Sequence, residues 1–418
     1  MQALSKMAFP QVNHCMILGG SLAGLMHAHT VLTHSPSTKV TILERSPTAL
    51  LHNQGAGVVA GSETQEFFEK YVRPGRDIAV TSQQRLYLDK QGGIVEGSVD
   101  KRQQRMTSWD LLYRFLRWRV DGMAVEEYFN DIKAIPVNSG SKAEYLNGCT
   151  VSNLEDLGVS KSIRVTWKDK SVKSQSADAD LVIAADGGSS TTRRLLKPAV
   201  ERKYVGYVAF RGTVPETQLS EAASTVFSEH FAFYHTQGVQ ILAYLIPGEN
   251  GTLEKGHRLM NWVWYVNFEE GSTELDDLMT DNDGKRHAIT LPPGGMKKSE
   301  WQKQIKLADD VLPPQYAELV NKTQQPFVQA ITDNISDENS FMDGKVLLVG
   351  DALAGFRPHT AASTGQAAFD ALTLGEWMQG KIDRTEYHER CLSYAKEVQK
   401  HGVMLGERSQ FGRHPFAS

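Results

Sequence analysis

The sequence predicts an α/β fold: a Rossmann-like domain assembled from separated segments, with an antiparallel-sheet domain inserted into it. Three observations lead there. First, apolar runs stopped by glycine occur near the start ("CMILGG"), in the middle ("DLVIAADGG") and toward the end ("KVLLVGD"). Such runs mark parallel strands buried on both faces. Second, from about 203 to 270 the text alternates: "YVGYVAFRGTV", "HFAFYHT", "VQILAYLIPG" and "RLMNWVWYVNF". Alternation marks antiparallel strands. Third, the chain has 418 residues, more than one core usually serves. The expected division is 1–76, 101–200 and 335–418 for the Rossmann-like domain, with 77–100 and 201–334 for the inserted domain.

In chain order, "CMILGG" reads as a strand, "SLAGLMHAHTVLTHS" as a helix and "KVTILERS" as a second strand. Residues 77–100, with "QRLYLDKQGGIVEG", predict a hairpin. "TSWDLLYRFLRWRV" predicts an amphipathic helix, and "SADADLVIAADGGSSTTRRLL" a strand, a glycine turn and a helix. "EEGSTELDDLMTDNDGKRHAITLPPGGMKKS" reads as polar loop, and "KVLLVGDALAGF" as a buried strand. A long helix is expected from about Ala361, then helical text to near the end.

Composition narrows the function. A net charge of −4 implies no basic face, so nucleic acid is not an expected partner. Cys15, Cys149 and Cys391 are widely spaced, with no CxxC pair and no disulfide framework, as suits a reducing compartment. No metal site is expected. No apolar run is long enough to span a bilayer. The opening "MQALSKMAFPQVNHC" has no signal-peptide pattern, and the closing "GRHPFAS" is not a peroxisomal tripeptide. A cytoplasmic protein with no membrane partner is the expectation, and a homodimer stays open.

The first glycine turn, Gly19-Gly20-Ser21-Leu22-Ala23-Gly24, nearly matches the dinucleotide fingerprint G-x-G-x-x-G. Gly19 serves the tight turn and Gly24 the packing of helix on strand. Ser21 stands where the second glycine usually lets backbone approach a pyrophosphate. It is small and can donate to phosphate, and the helix N-terminus supplies the anion site. Glu44 ends the second strand at the distance expected for a ribose-binding acid, with Arg45 beside it. The bland alternative is a structural glycine turn.

The second motif is D-G-x-x-S-x-x-R: Asp186, Gly187, Ser190 and Arg193. Alone it reads as a capped helix. The third places Gly350-Asp351 after a strand, then Pro358, then a helix opening in Ala361, Ala362 and Ser363. Asp351 suits a sugar hydroxyl, and the helix N-terminus suits an anion or a polarised ring edge.

Taken in this order, the three motifs resemble those of the single-component flavoprotein aromatic hydroxylases, the para-hydroxybenzoate hydroxylase fold. The resemblance runs from about Cys15 to Met378. "ERSPTALLHNQGAGVVAGSET", "YVGYVAFRGTVPE", "NWVWY" and "GDALAGFRPHTAASTGQAAFDA" look most like the 2,6-dihydroxypyridine 3-monooxygenase branch. The chain departs from the wider pattern at Leu353 and Ala354, and at Ala361 and Ser363, where glycines are usual. The resemblance implies FAD bound by the first motif, with Glu44 on the ribose, Asp186 in the motif shared with the NAD(P)H site, and Asp351 on the ribityl chain. NAD(P)H would be a co-substrate. A small aromatic substrate and O2 would be the partners, and hydroxylation would proceed through a C4a-hydroperoxyflavin. A decarboxylating hydroxylase of a hydroxybenzoate, or a flavin-bound redox sensor without turnover, are the alternatives.

Such a reaction asks for a group that polarises the substrate hydroxyl. The candidates are His359, which follows Pro358, with Arg211 and Tyr265 in the β region. Each has a plain packing or ion-pair alternative. Tyr234 and His235 are placed at a hairpin turn and rank lower. Trp262-Val263-Trp264 evokes the W-x-W-x-I-P of flavin halogenases, but Val266-Asn267 replaces Ile-Pro, so the tryptophans are expected to line or back the sheet.

Overall fold

The computed structural model describes residues 8–51, 57–123, 128, 142–158 and 162–412. The two terminal stretches read for targeting signals lie partly outside them. A six-stranded sheet has the order Ser340–Phe341, Val346–Leu348, Leu181–Ala184, His14–Leu18, Lys39–Glu44, Glu144–Asn147. All pairs are parallel except the outermost one at Ser340–Phe341. The three apolar runs are therefore neighbours: Ile17 pairs with Ile183, and Ile183 with Leu347. All three side chains are fully buried, as expected for a parallel sheet covered on both faces. Helices Leu22–His34, Trp109–Val120 and Ser363–Met378 contribute to the core on this sheet. Because the strands run parallel, their glycine turns gather at one end. That end is the crevice where open α/β sheets bind ligands.

The second large sheet runs Thr290–Leu291, Phe327–Ile335, Lys203–Pro215, Leu259–Asn267, Val239–Ile246, His230–Thr236, Gln84–Tyr87. Its alternation sorts two faces. Met260, Trp262 and Trp264 join one buried cluster, and the indole of Trp262 donates to Thr323 Oγ1 at 2.9 Å. Val263 and Tyr265 join the cluster on the opposite face. The tryptophans thus back the sheet, and the other face is free to form a site.

Three expectations change. The hairpin of 77–100 shrinks to isolated bridges, Leu88–Ile94 and Arg85–Asp100. Gln84–Tyr87 instead joins His230–Thr236 in parallel, with Tyr87 opposite Phe233. The edge of the large sheet offers that strand a continuous ladder, which its own return segment does not. The polar stretch after 269 is not all loop: Thr273–Leu278 is a helix capped by Ser272, whose hydroxyl accepts from the Leu275 amide at 3.2 Å. Leu275 and Leu278, three residues apart among acids, supply its buried stripe. The long helix starts at Ser363 because Ala361 turns left-handed, at φ 53°. Among the described residues, no helix is long and apolar enough to cross a membrane.

Candidate active site

The first glycine turn sits at the end of His14–Leu18. Gly19 has φ 102°, and a Cβ there would stand 2.3 Å from the Ala185 carbonyl oxygen. A Cβ on Gly24 would stand 1.9 Å from the Gly19 carbonyl oxygen. Both positions exclude side chains. Ser21 differs: it is the N-cap residue of Leu22–His34, with φ −90° and ψ −165°. That is ordinary extended backbone, so nothing local demands glycine. Its side chain makes no cap hydrogen bond, and the first turn holds no acid. The helix therefore presents unpaired amides and the positive end of its dipole to the groove.

Glu44 has a task that sequence reasoning missed. Its Oε2 accepts from the Gly20 amide at 2.8 Å, and its Oε1 from the Ser46 amide at 2.7 Å. It fixes the glycine turn as well as lining the groove with Arg45. Gly20 is pinned from the other side. Tyr145 donates its hydroxyl to the Gly20 carbonyl at 2.9 Å, and Arg117 lies 3.7 Å from the centre of the Tyr145 ring.

In the second motif, Asp186 Oδ1 accepts from Ser190 Oγ at 2.5 Å, and Oδ2 accepts from the Thr192 amide at 3.0 Å. Gly187 beside it has φ 77°. Arg193 is buried and donates to the Ala352 and Gly188 carbonyls at 2.7 and 2.5 Å. The last residue of the second motif thereby clamps the third. Gly350, at φ 55°, donates its amide to the buried Asp370 at 2.9 Å, which sets the turn that carries Asp351. Desolvation raises the pKa of the Asp351 carboxyl, opposed by Arg202 and by the Ser363 hydroxyl.

These residues line a groove of about 460 Å³ that includes Gly19, Ser21, Leu22, Ala23, Glu44 and Asp186. A second cavity of about 300 Å³ lies between the loop at 358–363 and the inner face of the large sheet. Asp351, Ser363 and Thr364 line both. The combined space is long. It is lined by an uncapped helix N-terminus and by the carboxylates of Glu44, Asp186 and Asp351, and it continues into a partly apolar chamber. A second uncapped helix N-terminus, that of Ser363–Met378, opens where the two meet. An FAD-sized dinucleotide with a flat ring fits this donor and acceptor set.

The chamber gathers all three candidate catalytic residues. His359 Nε2 lies 2.9 Å from Tyr207 Oη, and its ring centre 4.3 Å from that of Tyr265. Desolvation, with Arg357 adding to it, lowers the His359 pKa to about 3. The imidazole is therefore neutral at ordinary pH. Tyr265 is buried, and burial pushes its phenol well above the usual range, with Arg211 opposing. Arg211 Nε is buried without a hydrogen-bond partner among the described residues.

His235 corrects an expectation. It lies within the strand His230–Thr236, is buried, and lines the chamber rather than sitting on a turn. Tyr234 points to the tryptophan face. The chamber also holds Gln240, Tyr87 and Arg85, which sequence reasoning did not single out. Gln240 carried a signal, being the one polar residue between Val239 and the apolar run 241–243.

Comparison with known proteins agrees with this geometry. Residues 204–333 match a family model described as FAD binding domain-like. A 2,6-dihydroxypyridine 3-monooxygenase of Paenarthrobacter nicotinovorans is 29% identical over 368 residues, 88% of this chain and 83% of that one. The structure of 2,6-dihydroxypyridine-3-hydroxylase from Arthrobacter nicotinovorans superposes with a TM-score of 0.79 at 25% identity, over 98% of this chain and 97% of that one. A salicylate hydroxylase in a substrate complex shares the fold, with a TM-score of 0.65 at 17% identity over 96% and 90% of the two chains.

Proposed function

We propose that the chain is an FAD-dependent monooxygenase of the aromatic-hydroxylase fold, similar to 2,6-dihydroxypyridine 3-monooxygenase, and that it hydroxylates a small N-heteroaromatic ring bearing hydroxyl groups. The observation that carries this reading is the joining of groove and chamber at Asp351 and Ser363, with Arg211 and Tyr265 on the facing sheet. When bound, FAD reduced by NAD(P)H supplies the dioxygen chemistry. The chain supplies binding, orientation and electrostatics.

Ser21 and the first-turn amides after it would take the pyrophosphate. Glu44 and Arg45 would hold the adenosine ribose. Asp186 and Gly187 form the groove wall beside them, and Asp351 would accept from the ribityl hydroxyls. Pro358, Ala361, Ala362 and Ser363 would bound the ring, where the helix dipole favours negative charge. On the substrate side, Arg211 is a permanent cation in a partly desolvated wall, so it stabilises negative charge on a ring oxygen. Tyr265 stays a neutral phenol and hydrogen-bonds a ring hydroxyl. His359 stays neutral and orients through Tyr207 rather than taking a proton.

The test is simple. Purified protein should show a flavin spectrum, and 2,6-dihydroxypyridine should accelerate its consumption of NAD(P)H. A colourless protein that takes up no added FAD would overturn the reading.

A further inference from the structure

The inner face of the large sheet carries a row of side chains in register. Gln240 stands opposite Tyr265 on one neighbouring strand and opposite His235 on the other. All three line the chamber. Opposed residues of antiparallel strands sit with Cβ atoms about 5 Å apart, and the Tyr265 ring in turn lies 4.3 Å from that of His359 in the loop at 358–363. Gln240 is thus one strand from the place where the ring chemistry occurs.

Gln240 is only 6% exposed, and its Oε1 is buried without a hydrogen-bond partner among the described residues. Asn261, on the same face, has its Oδ1 taken by the Gly57 amide at 3.1 Å. His359 has its Nε2 engaged by Tyr207, and its Nδ1 is buried without a partner among the described residues. A buried, unpaired amide oxygen is unfavourable, and a turn of the Gln240 amide would bring it to the chamber, where a ligand can complete it.

A carboxamide offers an acceptor and a donor side by side in one plane. Its complement is a ring edge with an adjacent N–H donor and C=O acceptor, the lactam edge of a pyridone. A phenol offers one hydroxyl and leaves half the amide unmatched. We propose that Gln240 is the specificity-determining residue of the chamber and selects N-heteroaromatic lactams over carbocyclic phenols by pairing with the N–H/C=O edge. This rests on the ring-hydroxylase reading above and names which ring.

The test compares 2,6-dihydroxypyridine, which has a pyridone tautomer, with resorcinol, which has carbon in place of the ring nitrogen. Both are titrated into the FAD-loaded protein and followed by flavin difference absorbance, without NAD(P)H. The wild type should bind the pyridine compound about tenfold or more tightly, the worth of one to two net hydrogen bonds. Gln240→Met, of similar volume, should bring the ratio near one, and so should Gln240→Asn, which withdraws the amide by one methylene. Discrimination that survives in a folded Gln240→Met or Gln240→Asn, or that is absent from the wild type, overturns the role of Gln240 and leaves the hydroxylase reading standing. A wild type that binds neither ring overturns that reading and the inference with it.

Discussion

The rings of His359 and Tyr265 lie face to face at a tilt of 31°, with centres 4.3 Å apart. Packed in this way among aromatic rings, His359 is desolvated, which lowers its pKa from 6.5 to about 3. Its folded form stays neutral, whereas the unfolded chain protonates below its ordinary pKa. Stability is therefore lost as pH falls from about 6.5 toward 3. For catalysis, His359→Gln should lower kcat/KM by less than about a hundredfold, the lower edge of what losing a general base costs. It should leave the shape of the pH profile unchanged. A limb near neutral pH that disappears in the variant would show that His359 titrates in turnover.

Ser21→Gly should retain FAD and Ser21→Leu should lose it. The backbone at Ser21 is ordinary, so glycine adds nothing the turn requires. Leucine would place four carbons over the unpaired amides of the helix. Flavin absorbance per protein after gel filtration reads this directly. Full occupancy in the leucine variant would show that the turn does not approach the pyrophosphate.

Gly20→Ala tests the other side of the same turn. A Cβ at Gly20 would stand 2.1 Å from Tyr145 Oη, in a ring held by Arg117. Overpacking of this kind costs about 1–3 kcal/mol. Both a lower midpoint of denaturant unfolding and weaker FAD binding are expected. Adding Tyr145→Phe should recover little, since the ring carbons Cζ and Cε2 would still stand 2.4 and 2.7 Å from the added Cβ.

Asp370 gives the fold a pH dependence. It is fully buried, with the Gly350 amide, the Gln366 side chain and the Cys391 thiol around it and no cation beside it among the described residues. Burial raises its pKa from 3.8 to about 7. A carboxyl raised in this way binds its proton more tightly folded than unfolded. Stability from this group is present below about 4 and is lost as pH rises to about 7. Asp370→Asn should flatten the fall in Tm between pH 5 and 7. An unchanged slope would mean that Asp370 is ionised throughout.

Much of this was legible because it is local. Gly19 and Gly24 are forced by contacts within a few residues or with the adjacent strand, so the glycine spacing carried them. The three apolar runs announced the parallel sheet. Roles that depend on distant pairing did not show. Gln84–Tyr87 was read toward its own return segment because its true partner, beginning at His230, is far along the chain. The sequence alone puts His235 at a turn, because only strand register shows that the turn comes after Thr236. Arg193 was visible as part of a motif, but its grip on the Ala352 carbonyl needed the third segment in place. Glu44 was read for a ligand, and its hold on the Gly20 amide depends on where the turn folds back.

Groove and chamber together are proposed to hold FAD beside a hydroxylated N-heteroaromatic ring, into which one atom of dioxygen is inserted. The most direct measurement is the mass of the product formed from 2,6-dihydroxypyridine with NAD(P)H under isotopically heavy dioxygen. A product carrying one heavy oxygen atom, formed with consumption of the reduced nicotinamide, is expected. An unlabelled product, or reductant consumption that only reduces dioxygen to hydrogen peroxide and leaves the substrate unchanged, would contradict it.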